Sequence, residues 1–151
     1  ELDLLVMGPD CGTAIINGVA VGFANAIRKG PFGIVGASGT GIQEVSTLLH
    51  KRGYGITQAI GLGGRDLSRE VMGLSMLQGV RALENDPDTE IVILISKPPA
   101  PEVANAALDT IKNLGKRYII NFLNGDAAEA QKRNLPLREK ADGPQTVFPS
   151  A

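Results

Sequence analysis

From residue 32 onward, short apolar runs alternate with segments whose apolar residues recur every three or four positions. The runs, which predict buried strands, cover residues 32–35, 56–62, 91–95, 118–123 and 146–148. The periodic segments, which predict amphipathic helices, cover residues 42–49, 71–83 and 101–114. A further short helix is predicted at 126–132 and a polar surface loop at 134–143.

This alternation predicts an α/β fold in which a parallel sheet carries helices on both faces. Five strands favour a flavodoxin-like, doubly wound sheet with strand order 2-1-3-4-5. In that order the ligand crevice lies at the carboxyl ends of the first and third strands. The loops 36–41 and 96–100 meet there, and the loop 63–66 flanks the same edge.

The first 31 residues are less regular. Residues 4–7 predict a short strand that ends at Gly8-Pro9-Asp10, and no other strand is predicted before residue 32. The chain begins with Glu1, without an initiator methionine or a signal peptide. A strand so near the start needs a neighbour, so we expect a piece of a longer protein, cut inside or just after another domain.

Composition narrows the classes of function. The 151 residues are 43% hydrophobic, and 15 basic residues face 16 acidic ones for a net charge of −1. This balance, with no tryptophan and few other aromatics, argues against a nucleic-acid or anionic-membrane partner. One cysteine and one histidine exclude a zinc cluster, so no metal is predicted. A single cysteine also favours a cytoplasmic setting.

The glycine-rich segment GASGTG, residues 36–41, precedes a predicted helix. Free amides and the partial positive charge at a helix N-terminus favour an anion such as phosphate. It is not a Walker A loop, because Ile42-Gln43 replaces the Lys-Ser/Thr pair. The alternative is a capping box with Thr40 as N-cap and Gln43 three residues later. The predicted phosphate-binding residues of this loop are Ser38, Gly39, Thr40 and Gly41.

Two cations accompany the other loops of the predicted crevice. Arg65 follows Gly63 and Gly64, which join the predicted phosphate-binding set, and a guanidinium can hold phosphate or carboxylate by two hydrogen bonds. The alternative is a structural loop in which Arg65 pairs with Asp66 or Glu70, with Asp66 or Ser68 capping the helix. Lys97 follows the third strand, where it either neutralises an anion or is simply solvated. Arg65 and Lys97 are the candidate catalytic residues.

Four motifs together resemble the succinyl-CoA synthetase α-subunit superfamily, and most closely its FdrA branch. They are GPDCG at 8–12, GASGTGIQEV at 36–45, AIGLGGRDLSREV at 59–71 and SKPP at 96–99. The resemblance implies that residues 1–30 end a CoA-binding, Rossmann-like domain and its linker, and that 31–151 form a flavodoxin-like CoA-ligase domain. It also implies CoA bound through the missing domain, phosphate or an acyl phosphate at Ser38, Gly39 and Thr40, and a β-type partner subunit. Self-association of this piece is the alternative partner.

Departures from the synthetase pattern matter for the chemistry. By the resemblance, a phosphohistidine would stand where this chain has Asn124-Gly125-Asp126, and no histidine follows His50. The glutamate that would hold that histidine aligns with Lys97. We therefore expect an acyl-CoA synthetase-type domain that binds its phosphate directly, without a histidine relay. The alternatives are a subunit of an oxamate and carbamoyl phosphate carbamoyltransferase system, a degenerate structural or assembly domain, and a nucleotide-binding flavodoxin-like module.

Overall fold

One mixed sheet organises the part of the chain, residues 4–122 and 145–149, that the computed structural model describes. Its strands are β1 (Thr13–Ile16), β2 (Val19–Gly22), β3 (Phe32–Gly36), β4 (Ile56–Gly61), β5 (Ile91–Ser96), β6 (Arg117–Phe122) and β7 (Gln145–Pro149). The helices are α1 (Gly39–Lys51), α2 (Leu74–Asn85) and α3 (Pro101–Ile111), with a 3₁₀ helix at Gly64–Leu67.

The strand order is β2-β1-β4-β3-β5-β6-β7, and the five strands from β3 to β7 are all parallel. Counted from β3 as the first strand, the parallel part reads 2-1-3-4-5, which confirms the predicted doubly wound sheet. Both faces are covered, as the unbroken apolar run of β5 requires. The predicted elements at 126–132 and 134–143 lie outside the described residues.

The helices divide the core between the two faces of the sheet. On one face, α2 and α3 pack Met76, Val80 and Val103 against the sheet. On the other face, α1 contributes the fully buried Ile42. No helix within the described ranges is long and apolar enough to cross a membrane.

An antiparallel hairpin, β1 with β2, extends the sheet beyond β4 and was not predicted. Its turn, Asn17-Gly18, has positive φ angles of 50° and 77°, as a two-residue hairpin turn requires. The strand predicted at 4–7 is wrong, because these residues pair with no strand. Leu5 and Met7 instead pack against the core on the α2 and α3 face, which explains their apolar character.

The start of α2 differs from the prediction by three residues. The predicted helix begins at Val71, but Met72 and Gly73 have positive φ angles of 59° and 68°, so the helix begins only at Leu74. Positive φ interrupts a right-handed helix. The apolar spacing of this segment continues through a turn that is not helical.

Candidate functional site

Three loops meet at the edge of the sheet where the parallel strands end. The carboxyl ends of β3, β4 and β5 are adjacent there, as the predicted switch point requires. Backbone hydrogen bonds tie the loops together: Leu62 to Gly36 at 2.7 Å, Ala37 to Ile95 at 3.0 Å and Ala100 to Leu67 at 2.9 Å. We call this region the carboxyl-edge crevice, defined by residues 36–41, 62–67 and 96–100.

Ser38, not Thr40, caps α1. Its Oγ accepts a hydrogen bond from the Gly41 amide at 3.2 Å, and its backbone is extended, as an N-cap requires. The predicted capping box is therefore wrong, since Gly39 is already helical. Gln43 reaches elsewhere, donating to the Phe23 carbonyl at 2.5 Å.

The first turn of α1 keeps two backbone donors. The amides of Gly39 and Thr40 have no acceptor within the described residues, whereas the Ile42 amide bonds to the Ser38 carbonyl at 2.9 Å. No acidic side chain lies in this turn. The helix end therefore carries uncompensated partial positive charge, and the exposed Thr40 adds a hydroxyl. This arrangement can hold an oxyanion.

Packing explains two of the glycines in these loops. A Cβ on Gly36 would overlap the carbonyl oxygen of Ile95, and a Cβ on Gly63 would overlap that of Pro9. Gly64, in contrast, faces open space. Gly63 is therefore fixed by the neighbouring backbone, and only Gly64 of this predicted pair is accessible.

Arg65 and Lys97 both lie at the crevice and both are exposed. Neither makes a hydrogen bond or ion pair within residues 4–122. Asp66 is not the partner of Arg65, because its carboxylate accepts the amides of Ser75 and Met76 at 2.8 and 2.9 Å. It thereby caps α2, as the structural alternative for this loop expected.

Glu70 is a carboxylate whose pKa is influenced by the positive charge of Arg65. The nearby Ser68 hydroxyl lowers the pKa of Glu70, and the positive charges of Arg65 and Arg69 lower it further. Glu70 is fully exposed, so this attraction is screened by water. The guanidinium of Arg65 therefore remains able to meet an anion.

Two buried polar atoms at this edge belong to residues that the sequence does not single out. Ser96 is 1% exposed, and its hydroxyl has no hydrogen-bond partner among the described residues. The Oδ1 atom of Asn121, next to Ile95 across the β5–β6 pair, is likewise buried and unpartnered there. A polar residue inside an otherwise apolar strand is the signal that identifies both.

The remaining reactive side chains lie apart from the crevice or outside the description. His50 is near the C-terminal end of α1, where its Nδ1 accepts the Arg28 amide at 3.1 Å. It cannot pair with Ser38 at the opposite end of a 13-residue helix. Cys11 is partly buried against Gly61. The positions 124–126, where the resemblance would put a relay histidine, lie outside the described residues.

Comparison with known proteins gives one family match and related sequences. The family model described as CoA binding domain matches residues 28–125. YahF of Escherichia coli (strain K12) is 53% identical over 135 residues, which cover 89% of this chain and 26% of YahF. The malate–CoA ligase subunit alpha of Methylorubrum extorquens is 29% identical over 136 residues, covering 88% and 44% of the two chains. This chain thus spans less than half of these relatives, and the predicted division after residue 30 stays a prediction.

Among solved structures, the sheet is similar to a dinucleotide-forming acetyl-coenzyme A synthetase 1 from Ca. Korarchaeum cryptofilum in complex with phosphate and ADP. The TM-score is 0.63 at 16% identity, over 87% of this chain and 29% of that one. At this identity the likeness supports the fold alone.

Proposed function

We propose, from the premise that this chain belongs to the CoA-binding domain family, that it is an acyl-CoA synthetase-type domain whose crevice binds phosphate or an acyl phosphate. Its homology to malate–CoA and succinate–CoA ligase α subunits supports the synthetase type. Within that group we assign it to the FdrA branch on the motifs GPDCG, GASGTGIQEV and SKPP.

The observation that carries the proposal is the open N-terminus of α1. The amides of Gly39 and Thr40 are without protein acceptors in the described part of the chain, and no carboxylate lies in the first turn. A helix end of this kind stabilises a bound anion by direct hydrogen bonds and by its partial positive charge. Phosphate, with several acceptor oxygens, fits two adjacent donors better than a neutral ligand.

Arg65 and Lys97 would supply the full positive charges. Both side chains are exposed on loops that reach the same edge, and neither forms an ion pair with another described residue, so either can turn toward a phosphoryl group. Because the chain has no histidine after His50, we propose that it stabilises the phosphoryl group electrostatically and not through a covalent phosphohistidine.

CoA is the ligand that the family description names, and the same donors suit its phosphates. The accessible amides of Gly39 and Thr40 fit an anionic phosphate equally well whether it belongs to CoA or to an acyl phosphate. Phe122, which pairs with Ser96 at the carboxyl end of β6, is 4% exposed and packs in the core, so its ring is not open to stack on an adenine. We therefore favour a small phosphorylated ligand here and CoA on a neighbouring domain.

A backbone NMR titration tests the assignment directly. We expect saturable amide shifts at Gly39, Thr40 and Gly64 with inorganic phosphate and acetyl phosphate, and weaker ones with CoA. A preference for carbamoyl phosphate over acetyl phosphate would instead support the carbamoyltransferase alternative. The absence of shifts at these amides with any phosphorylated ligand at millimolar concentration would leave a structural or assembly role.

Charge reversal at Lys97 provides the matched variant test. The change Lys97→Glu should weaken phosphate binding about two- to fivefold, since an exposed charge near a bound anion contributes roughly 0.5–1 kcal/mol. Arg81→Glu makes the same charge change on the exposed surface of α2 and should leave affinity unchanged. Equal affinities for the two variants would remove Lys97 from the site.

The name of one relative indicates that a partner subunit is involved. Malate–CoA ligase subunit alpha is one part of a larger enzyme, and we propose that this domain likewise works with a β-type partner subunit. Copurification of such a subunit with the full-length protein, retained in Lys97→Glu, would separate assembly from phosphate binding.

A further inference from the structure

The start of α3 differs from those of the other two α-helices in the described region. Ser38 caps α1 and the Asp66 carboxylate caps α2, but the N-cap of α3 is Ala100, and no side chain caps the helix. Pro101 occupies the first helical position and has no N–H group. The amides that follow it in this turn are therefore the donors at the positive end of the helix dipole.

A buried hydroxyl lies on the same side of the sheet as this helix end. Leu94 belongs to the core cluster that contains Val103, whereas Ile95 belongs to the cluster on the α1 face. Side chains alternate along a strand, so Ser96 faces α3. Its side chain is 1% exposed and lacks a partner among residues 4–122 and 145–149. A buried hydroxyl without a partner lowers the stability of the fold unless another group, such as a bound ligand, accepts a hydrogen bond from it.

We propose that Ser96 and the first turn of α3 form a second oxyanion subsite, next to the phosphate site at α1. The Ser96 hydroxyl donates to a carboxylate or phosphate oxygen, the Val103 amide donates from the helix end, and Lys97 lies between them in sequence. This inference rests on the proposed function because it places both subsites in the same crevice. The ligand that would fill both is a molecule with two oxyanionic groups.

The local charges are compatible with an anion in this position. Glu102, in the first turn of α3, is held by the guanidinium of Arg69 at 2.6 Å. The positive charge of Arg69 thus offsets the negative charge of Glu102. Lys97, exposed directly after β5 and four residues before α3, adds a positive charge on the connecting loop, which favours an anion.

The test uses the 151-residue chain with inorganic phosphate and acetate as separate probes. In the wild type, one or both probes should shift the Val103 and Ala104 amides. Shifts with acetate indicate a carboxylate ligand and shifts with phosphate alone indicate a phosphoryl ligand; either supports the subsite. Shifts at Gly39 and Thr40 report the α1 site separately, so the two proposals can fail independently.

Ser96→Ala should weaken binding at the α3 amides about tenfold, because a hydrogen bond to a charged group is lost. The same variant should be as stable as the wild type without ligand, or more stable, since it removes an unpartnered buried hydroxyl. A merely structural serine would give the opposite result, a less stable protein with unchanged affinity. Ser96→Cys keeps the volume and should show the same loss of binding.

Ser46→Ala is the matched control. Ser46 is also 1% exposed, but its hydroxyl donates to the Gln43 carbonyl at 3.0 Å within α1. It should leave the α3 shifts intact. Wild-type protein in which neither probe moves the Val103 amide, or a Ser96→Ala protein with wild-type affinity, would overturn the subsite.

Discussion

At the scale of single residues, adjacent glycines at the crevice have different roles. Gly63 lies directly against the backbone of Gly8 and Pro9, while its neighbour Gly64 has no atom within 4 Å of the position that a Cβ would occupy. The sequence presents them as one glycine pair. Because the difference depends on a segment more than fifty residues away in the chain, no local pattern reveals it.

Alanine scanning of this pair should separate the two roles. Gly63→Ala should lower the free energy of unfolding by about 1–3 kcal/mol, since the new methyl group overlaps a backbone carbonyl that cannot rotate away. Gly64→Ala is the control and should stay within about 0.5 kcal/mol of the wild type. Urea denaturation of both variants measures the difference. Equal stabilities would show that residues 8–10 do not pack tightly on Gly63.

The sequence was informative about residue types and less so about their partners. It identified Ser38, Arg65 and Lys97 as polar residues on converging loops, and the structure places all three at the crevice. The alternative interpretation of this loop makes Thr40 the α1 cap, although the helix begins at Gly39 and Ser38 caps it. The roles of these residues in binding stay predictions, because a side chain's ligand does not follow from its position alone.

At the scale of elements, how each helix begins sets what its N-terminus can do. Asp66 satisfies the α2 amides from the 3₁₀ helix, eight residues before the helix begins, so that end is closed to a ligand. The α1 cap uses only one acceptor, and α3 has none from a side chain. The ligand-binding potential of the crevice therefore lies with α1 and α3.

Removal of the Asp66 carboxylate should destabilise the domain without changing its affinity for phosphate. We expect Asp66→Ala to cost about 1–3 kcal/mol of folding free energy, because the partly buried amide of Ser75 and the buried amide of Met76 lose their acceptor. Arg65→Ala, one residue away and exposed, should keep the stability but weaken phosphate binding. Thermal unfolding and phosphate titration of the two variants would show opposite effects. Weaker phosphate binding by Asp66→Ala at full stability would contradict this division.

The sequence predicts most of the regular helices and strands. It also contains a signal for the unpredicted β1–β2 hairpin. The strands β3 to β6 follow from their apolar runs, and the helices from their spacing. The β1–β2 hairpin has its own signal, Asn17-Gly18 between two apolar segments. The apolar residues 4–7 predict a strand as well, whereas in the structure Leu5 and Met7 pack against the core and lie in no strand.

At the scale of the whole molecule, the two edges of the parallel sheet differ in how their polar groups are satisfied. At the amino edge, Lys116 donates to the carbonyls of Leu83 and Asp86, and Thr89 bonds to both Thr57 and Asp86. At the carboxyl edge, Ser96 and Asn121 keep buried oxygens without described partners. Among the described residues, these polar groups are thus paired at the amino edge and unpaired at the carboxyl edge, where we propose that a ligand binds.

The amino edge should make folding sensitive to acid. Burial raises the pKa of Glu84, but hydrogen bonds from Tyr118 at 2.6 Å and the Gly115 amide at 2.8 Å outweigh it, so the net pKa is lowered. For Asp86, burial is likewise outweighed by hydrogen bonds, first from Thr89. A carboxylate with a lowered pKa stabilises the fold above its ordinary pKa, and that contribution is lost as the pH falls through its folded value.

Glu84→Gln isolates this contribution. At pH 7 the variant should be about 1 kcal/mol less stable than the wild type, because a neutral amide accepts more weakly from Tyr118 and Gly115. The difference should shrink as the pH falls below 4.5, the ordinary pKa of a glutamate, and vanish once the pH is below the lowered pKa of folded Glu84. Glu44→Gln, on the exposed surface of α1, should be indistinguishable from the wild type throughout. Urea unfolding between pH 3 and 7 measures the three curves, and a gap between wild type and Glu84→Gln that persists at pH 3 would mean that shape, and not charge, is what Glu84 contributes.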